Sequence, residues 1–181
     1  MSRRKQAVTE AELRSAMDRH ERSLVRYAER IVRDVERARD VVQDTFLRLL
    51  RTDNAPDAEH LAQWLFTVCR NRALDVVRKE KRMTTLSDAY TDSAASGDPS
   101  PPEAAADREA LGRVGRILVT LPERQQEVIR LKFQNGFSYR QIAGVTGLSV
   151  TNVGFLIHTA IKTLRRQLGG AGLKTGRTAT A

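Results

Sequence analysis

Apolar side chains recur along this chain at the three- and four-residue spacing of amphipathic helices, and no segment alternates convincingly as a half-buried strand would. Leu24, Ala28, Ile31 and Val35 mark one stripe. Val41, Val42, Thr45, Phe46, Leu49 and Leu50 mark a second, and Leu61, Leu65, Val68 and Val76 a third. The second and third stripes predict helices over 40–51 and 61–82. Further on, Ile142, Val153 and Leu156 fall at inward-facing helical positions.

Between Met83 and Ala106 the periodicity stops. Thr84, Thr85, Ser87, Thr91, Ser93, Ser96, Gly97, Pro99, Ser100, Pro101 and Pro102 crowd together with few large apolar residues. Such a segment buries too little surface to offset the entropy of ordering it, which predicts a flexible linker. The expected fold class is therefore all-α: two small helical domains, 10–83 and 107–169, joined by a linker at 84–106 and followed by a disordered tail at 170–181. Domains of about 60–75 residues hold a three- or four-helix core, but a marginal one, so support from a partner surface fits.

Charge changes the picture. Lys and Arg number 31 against 22 Asp and Glu, for a formal net charge of +9. Residues 1–83 carry 19 basic and 14 acidic side chains, 84–110 carry one and six, and 111–181 carry 11 and two. Two basic blocks thus flank an acidic connector, an arrangement suited to two modules on one polyanion. The single cysteine excludes an intrachain disulfide and argues against structural zinc. Set within Leu65-Phe66-Thr67-Val68-Cys69, it reads as a buried, inert thiol. No apolar run is long enough to span a bilayer and no secretory signal follows the basic start, so the expectation is a cytoplasmic protein without membrane insertion.

With the second stripe turned inward, Asp40, Gln43, Asp44, Leu47 and Arg51 share the outer face of their helix. That face is either an ordinary solvated surface or a docking face with Leu47 as its apolar spot. The helix after it ends in Arg70, Arg72, Arg78, Lys79, Lys81 and Arg82, with Asn71 and Asp75 interspersed and Trp64 upstream. Cations near a helix C-terminus favour the macrodipole. Six of them within 13 residues exceed that need and, with an aromatic and an amide, suit tracking of an unpaired strand.

The sharpest local motif runs from Gly136 to Leu156. Ser138 is placed to cap a short helix carrying Ile142 and the small Ala143; Gly147 supplies the turn, Leu148 a core plug, and Ser149 the cap of a second helix. This is a helix-turn-helix pattern, whose second helix enters the major groove. Thr151, Asn152, Phe155 and His158 are its candidate base-reading residues, Asn for adenine and Thr or Phe for a thymine methyl, and Ser149 at the cap is a further candidate DNA contact. His158 is equally readable as a plain surface histidine. Lys162, Arg165 and Arg166, two to three turns on, suit phosphate contacts.

Three stretches resemble the bacterial sigma-70 family. Ala38-Arg39-Asp40-Val41-Val42-Gln43-Asp44-Thr45-Phe46-Leu47-Arg48-Leu49 is similar to its region 2 helix, and Trp64-Leu65-Phe66-Thr67-Val68-Cys69-Arg70-Asn71-Arg72-Ala73-Leu74-Asp75 to the helix that follows. Leu121-Pro122-Glu123-Arg124-Gln125-Gln126-Glu127-Val128, with the helix-turn-helix behind it, resembles region 4. Only these two regions are present, the layout of the extracytoplasmic-function (ECF) subgroup. The resemblance implies that Asp40, Gln43, Asp44 and Leu47 bind the β′ clamp helices of core RNA polymerase. It implies that Trp64, Arg70, Asn71, Asp75, Arg78 and Arg82 engage and melt the −10 promoter element, with Asn71 at a pocket for a flipped base and residues 52–60 as the base-selecting loop. Region 4 would bind the −35 duplex and rest on the β flap, and the linker would pass near the RNA exit path. An anti-sigma partner is also implied.

The chain departs from the family in one place. Relatives commonly carry basic residues near the positions of Gly154 and Leu156, where this chain reads Val153-Gly154-Phe155-Leu156-Ile157. The glycine weakens the helix and permits close backbone approach; Phe155 is left to meet either bases or a protein. Two rival readings account for less of the chain. A regulator that binds DNA without polymerase leaves the Asp40–Leu47 face unexplained. An enzyme lacks support: His20, His60 and His158 form no ligand spacing, and no HExxH, GxSxG or P-loop pattern occurs. No cofactor is expected.

Overall fold

The computed structural model describes residues 9–53, 55–84 and 105–172. Most of the expected linker and the tail beyond residue 172 lie outside the described residues. Seven helices form, and no strand occurs among the described residues: α1 (Glu10–Val32), α2 (Val35–Arg51), α3 (Ala58–Thr84), α4 (Ala105–Leu118), α5 (Glu123–Phe133), α6 (Tyr139–Thr146) and α7 (Val150–Gly172). The chain divides into two compact units, the first built on α1–α3 and the second on α4, α5, α7 and the first part of α6.

In the first unit each helix packs against the other two. Thr9 and Glu12 form a capping box that starts α1: the Glu12 N–H donates to Thr9 Oγ1 (3.3 Å) and the Thr9 N–H to Glu12 Oε2 (2.9 Å). The hydrogen bonds hold the Glu12 carboxyl below its ordinary pKa. The helix stops at Arg33, whose φ of 58° makes it the non-glycine residue in the left-handed region among the described residues. Asp34 then caps α2 by accepting from the Arg37 N–H at 2.8 Å. This two-residue corner corrects the first stripe: Val35 does not continue α1 but opens α2, and it is exposed.

The core between these helices holds Leu24, Tyr27 and Ala28 of α1, Val41, Val42, Thr45, Phe46 and Leu49 of α2, and Leu65, Phe66, Cys69 and Ala73 of α3. Tyr27 and Phe66 meet in a tilted ring contact with centroids 5.2 Å apart. Thr45 is buried because its hydroxyl donates to the Val41 carbonyl at 2.8 Å. Burial pushes the Cys69 thiol up to about 12, so it is a packing group and not a nucleophile. Several positions differ from the expected stripes, with Ile31, Leu61 and Val76 only half-buried. Leu50 is 41% exposed. Val68 is only half-buried, because α3 turns the line Leu65, Phe66, Cys69 and Ala73 inward.

In the second unit α4 and α5 pack against α7, over a core that includes Val128, Leu131, Phe137, Ile142, Val153, Ile157 and Ala160. Gln126 Nε2 donates to the carbonyls of Val119 (3.1 Å) and Leu121 (2.7 Å), satisfying carbonyls past the end of α4 where Pro122 starts α5 without a side-chain cap. Ile157, rather than Leu156, fills the inward position after Val153; Leu156 is half-buried. Helix α7 also runs through Gly169-Gly170-Ala171-Gly172, past the point where the tail was expected to begin. No single described helix is long and apolar enough to cross a membrane.

Candidate nucleic-acid interface

The second unit builds its site from local chemistry. Ser138 and Gln141 form a capping box: the Gln141 N–H donates to Ser138 Oγ (3.2 Å) and the Ser138 N–H to Gln141 Oε1 (2.9 Å). After two turns Gly147 ends α6 with φ 74°, its N–H donating to the Ala143 carbonyl at 2.9 Å. Ser149 accepts from the Asn152 N–H at 3.2 Å and starts α7. The two helix axes meet at 105°, within the range of a helix-turn-helix.

Val153, Ile157 and Ala160 turn one side of α7 inward, so Thr151, Phe155, His158 and Lys162 step along the opposite side. Ser149, Arg165 and Arg166 are exposed with them, whereas Asn152 lies on the flank and is half-buried. Phe155 is 65% exposed. Tyr139, which the sequence reading did not single out as a contact, stands beside this surface. A Cβ at Gly154 would lie 3.6 Å from Tyr139 Cε2, and Lys132 Nζ sits 5.5 Å from the ring centre.

In the first unit, Trp64, Asn71, Asp75, Arg78 and Arg82 are separated by seven, four, three and four residues, which aligns them along one side of α3 away from its buried line. Trp64 is half-buried and the other four are exposed. Asp75 pairs with Arg78 at 3.3 Å. Arg70 is out of step with this row and lies half-buried to the side.

On α2, Asp40, Gln43 and Leu47 are exposed, with Asp44 half-buried on the same side. Leu47 is 45% exposed, and Leu50 beside it enlarges the apolar spot. Asp44 is held from α3 by Arg72, whose Nη2 is 2.7 Å from Oδ2. Arg37 of α2 bonds Glu80 of α3 in a second bridge. Leu50, expected inward from its stripe, faces out, and Arg72 has a partner on α2; no short-range signal marks either.

Two small helical modules, one carrying a helix-turn-helix and the other a cationic helix with an aromatic and an amide in register, have the chemistry of a DNA-binding protein. Residues 16–83 match sigma-70 region 2 and residues 111–164 match sigma-70 region 4. The chain is 31% identical over 172 residues to the ECF RNA polymerase sigma factor SigL of Mycobacterium tuberculosis, covering 92% of this chain and 94% of that one. It is 25% identical over 166 residues to the RNA polymerase sigma factor SigV of Bacillus subtilis, covering 91% and 96%. Among solved structures, it resembles the sigma factor RpoE of Bartonella quintana in complex with the anti-sigma factor NepR (TM-score 0.67, 25% identity, 92% and 97% coverage). It also resembles CnrH in complex with the cytosolic domain of CnrY (TM-score 0.57, 26% identity, 90% of each chain).

The chain belongs to the sigma-70 family, in its ECF group. It directs promoter-specific initiation of transcription by RNA polymerase, as a transcription regulator.

Proposed function

We propose that the first unit, residues 10–83, binds core polymerase and opens the −10 element, while the second, 107–169, binds the −35 duplex. Asp40, Gln43, Asp44 and Leu47 dock on the β′ clamp helices. Trp64, Asn71, Asp75, Arg78 and Arg82, with Arg70 at the side, engage the −10 strand. Ser149, Thr151, Asn152, Phe155, His158, Lys162, Arg165 and Arg166 meet the −35 element, and the second unit rests on the β flap.

The observation that carries this reading is the register of α3, where one side aligns an aromatic, an amide and two arginines. Unstacking a base costs a few kcal/mol; stacking, amide hydrogen bonds and cations on the freed strand offset it. The factor itself carries out no catalysis, since polymerase supplies the chemistry. It works in the cytoplasm, where promoter and polymerase are. An anti-sigma protein restrains it, as the partners of the structural relatives suggest.

The test mixes the purified protein with sigma-free core polymerase and follows co-elution, then transcription from its own upstream region. A stable complex that starts RNA at a defined site supports the reading. No complex, with salt-sensitive duplex binding by the chain alone, overturns the docking assignment of α2.

A further inference from the structure

The face of α7 directed away from its core has an unusual chemical layout. Its largest exposed group is apolar: Phe155 is 65% exposed, with Thr151 one turn before it and His158 one turn after. Gly154 leaves the adjoining side bare, and the Tyr139 ring, itself 40% exposed, stands against that side. The margin is cationic, with Arg140, Lys162, Arg165 and Arg166 exposed and Lys132 against Tyr139. No carboxylate occurs anywhere in α7. Asn152, the side chain best suited to adenine, is half-buried on the flank.

An apolar group inside a cationic, acid-free margin is complementary to one surface above others. The major groove presents phosphates at its edges and, at A·T pairs, the thymine C5 methyl on its floor. We infer that α7 reads the −35 duplex mainly through thymine methyl groups. Phe155 is the principal contact, Thr151 a second, and the Tyr139 ring an apolar wall beside Gly154. The inference rests on the assignment of α6 and α7 to −35 binding and deepens it: specificity comes from apolar contact rather than from an amide or guanidinium pairing with base edges.

Duplexes with a randomised window, selected by the full chain bound to core polymerase, provide the probe. The enriched sequences should hold thymine at fixed positions. Replacing those thymines with uracil deletes only the methyl and should weaken binding roughly fourfold per position, the worth of one buried CH₂ group. Phe155→Ala should bind the thymine and uracil duplexes alike, and Phe155→Leu should keep part of the preference, with circular dichroism checking that both remain helical. Enriched duplexes indifferent to uracil, or a Phe155→Ala chain that still prefers thymine, would overturn the inference. So would a Phe155→Ala chain that loses polymerase binding with its thymine preference intact, since Phe155 would then be a protein contact. If the unaltered chain enriches no sequence, the −35 assignment of α6 and α7 fails as well.

Discussion

Arg72 on α3 reaches Asp44 on α2, placing Nε 2.8 Å and Nη2 2.7 Å from the same carboxylate oxygen. Glu80 and Arg37 pair further along the same seam with the charges exchanged. The two bridges fix α2 and α3 as antiparallel neighbours, since Arg37 precedes Asp44 on one helix while Glu80 follows Arg72 on the other. They also tie the proposed polymerase face to the helix that carries the proposed −10 face.

Because both side chains of the Asp44–Arg72 pair are about half exposed, the bridge contributes only about 0–1 kcal/mol to stability. Asp44→Asn should therefore leave thermal unfolding nearly unchanged while weakening core-polymerase binding roughly tenfold, or about 1.4 kcal/mol. Calorimetry and competitive binding to core separate the two effects. Unchanged affinity would remove Asp44 from the docking face.

Asn71 is exposed, in step with Trp64 and Asp75 on α3. Asn71→Ala should slow promoter opening more than it weakens polymerase binding, read by permanganate reactivity of unpaired thymines and by co-elution with core. Equal losses in both measurements would contradict its role as a pocket for a flipped base.

Gly147 ends α6 at φ 74°, and a Cβ built there meets nothing within 4 Å. The cost of Gly147→Ala is then conformational alone, about 1–2 kcal/mol. Gly147→Asn should cost less, because asparagine tolerates the left-handed region. Urea unfolding of the three chains tests the order; equal stability of glycine and alanine would show that the turn relaxes.

The Cys69 thiol, buried and pushed up to about 12, is protonated at pH 8. Native protein should resist alkylation for as long as it stays folded and react at once in denaturant, followed by mass spectrometry. Rapid native labelling would show that α3 opens from α1.

His20 is half-buried on α1, and burial followed by the neighbouring Arg19 lowers its pKa below the ordinary 6.5. The unfolded chain therefore binds the proton more readily than the folded one. The contribution of neutral His20 to stability is present above pH 6.5 and is lost as pH falls below it. Urea midpoints at pH 7.5 and 5.5 should differ in the native chain, with a smaller difference in His20→Gln. An identical difference in both would assign the effect to other groups.

Much of this was legible along the chain because the forces concerned act over a few residues. Ser138, Gly147 and Ser149 announce the helix-turn-helix, since caps and left-handed turns are made with neighbours three or four positions away. The row from Trp64 to Arg82 follows from helical period alone. The resemblance to the sigma-70 family rests on such local patterns in the right order.

Tertiary structure decided the remainder. Periodicity gives the side of a helix that is buried to within about one residue, but the neighbour's crossing direction chooses between candidates. That choice put Ile157 inward in place of Leu156, and left Leu50 exposed beside Leu47. Arg72 and Asp44 stand 28 residues apart, and no local rule pairs them. Tyr139 borders the exposed face of α7 because α6 meets that helix at 105°, which sets its ring at ordinary contact distance from the Gly154 position. The helical class and the caps and turn around α6 could be read along the chain, because those terms are local, while the corner at Arg33 and Asp34 was not marked by the apolar stripe. Which side chains meet across helices depended on packing, which no single helix specifies.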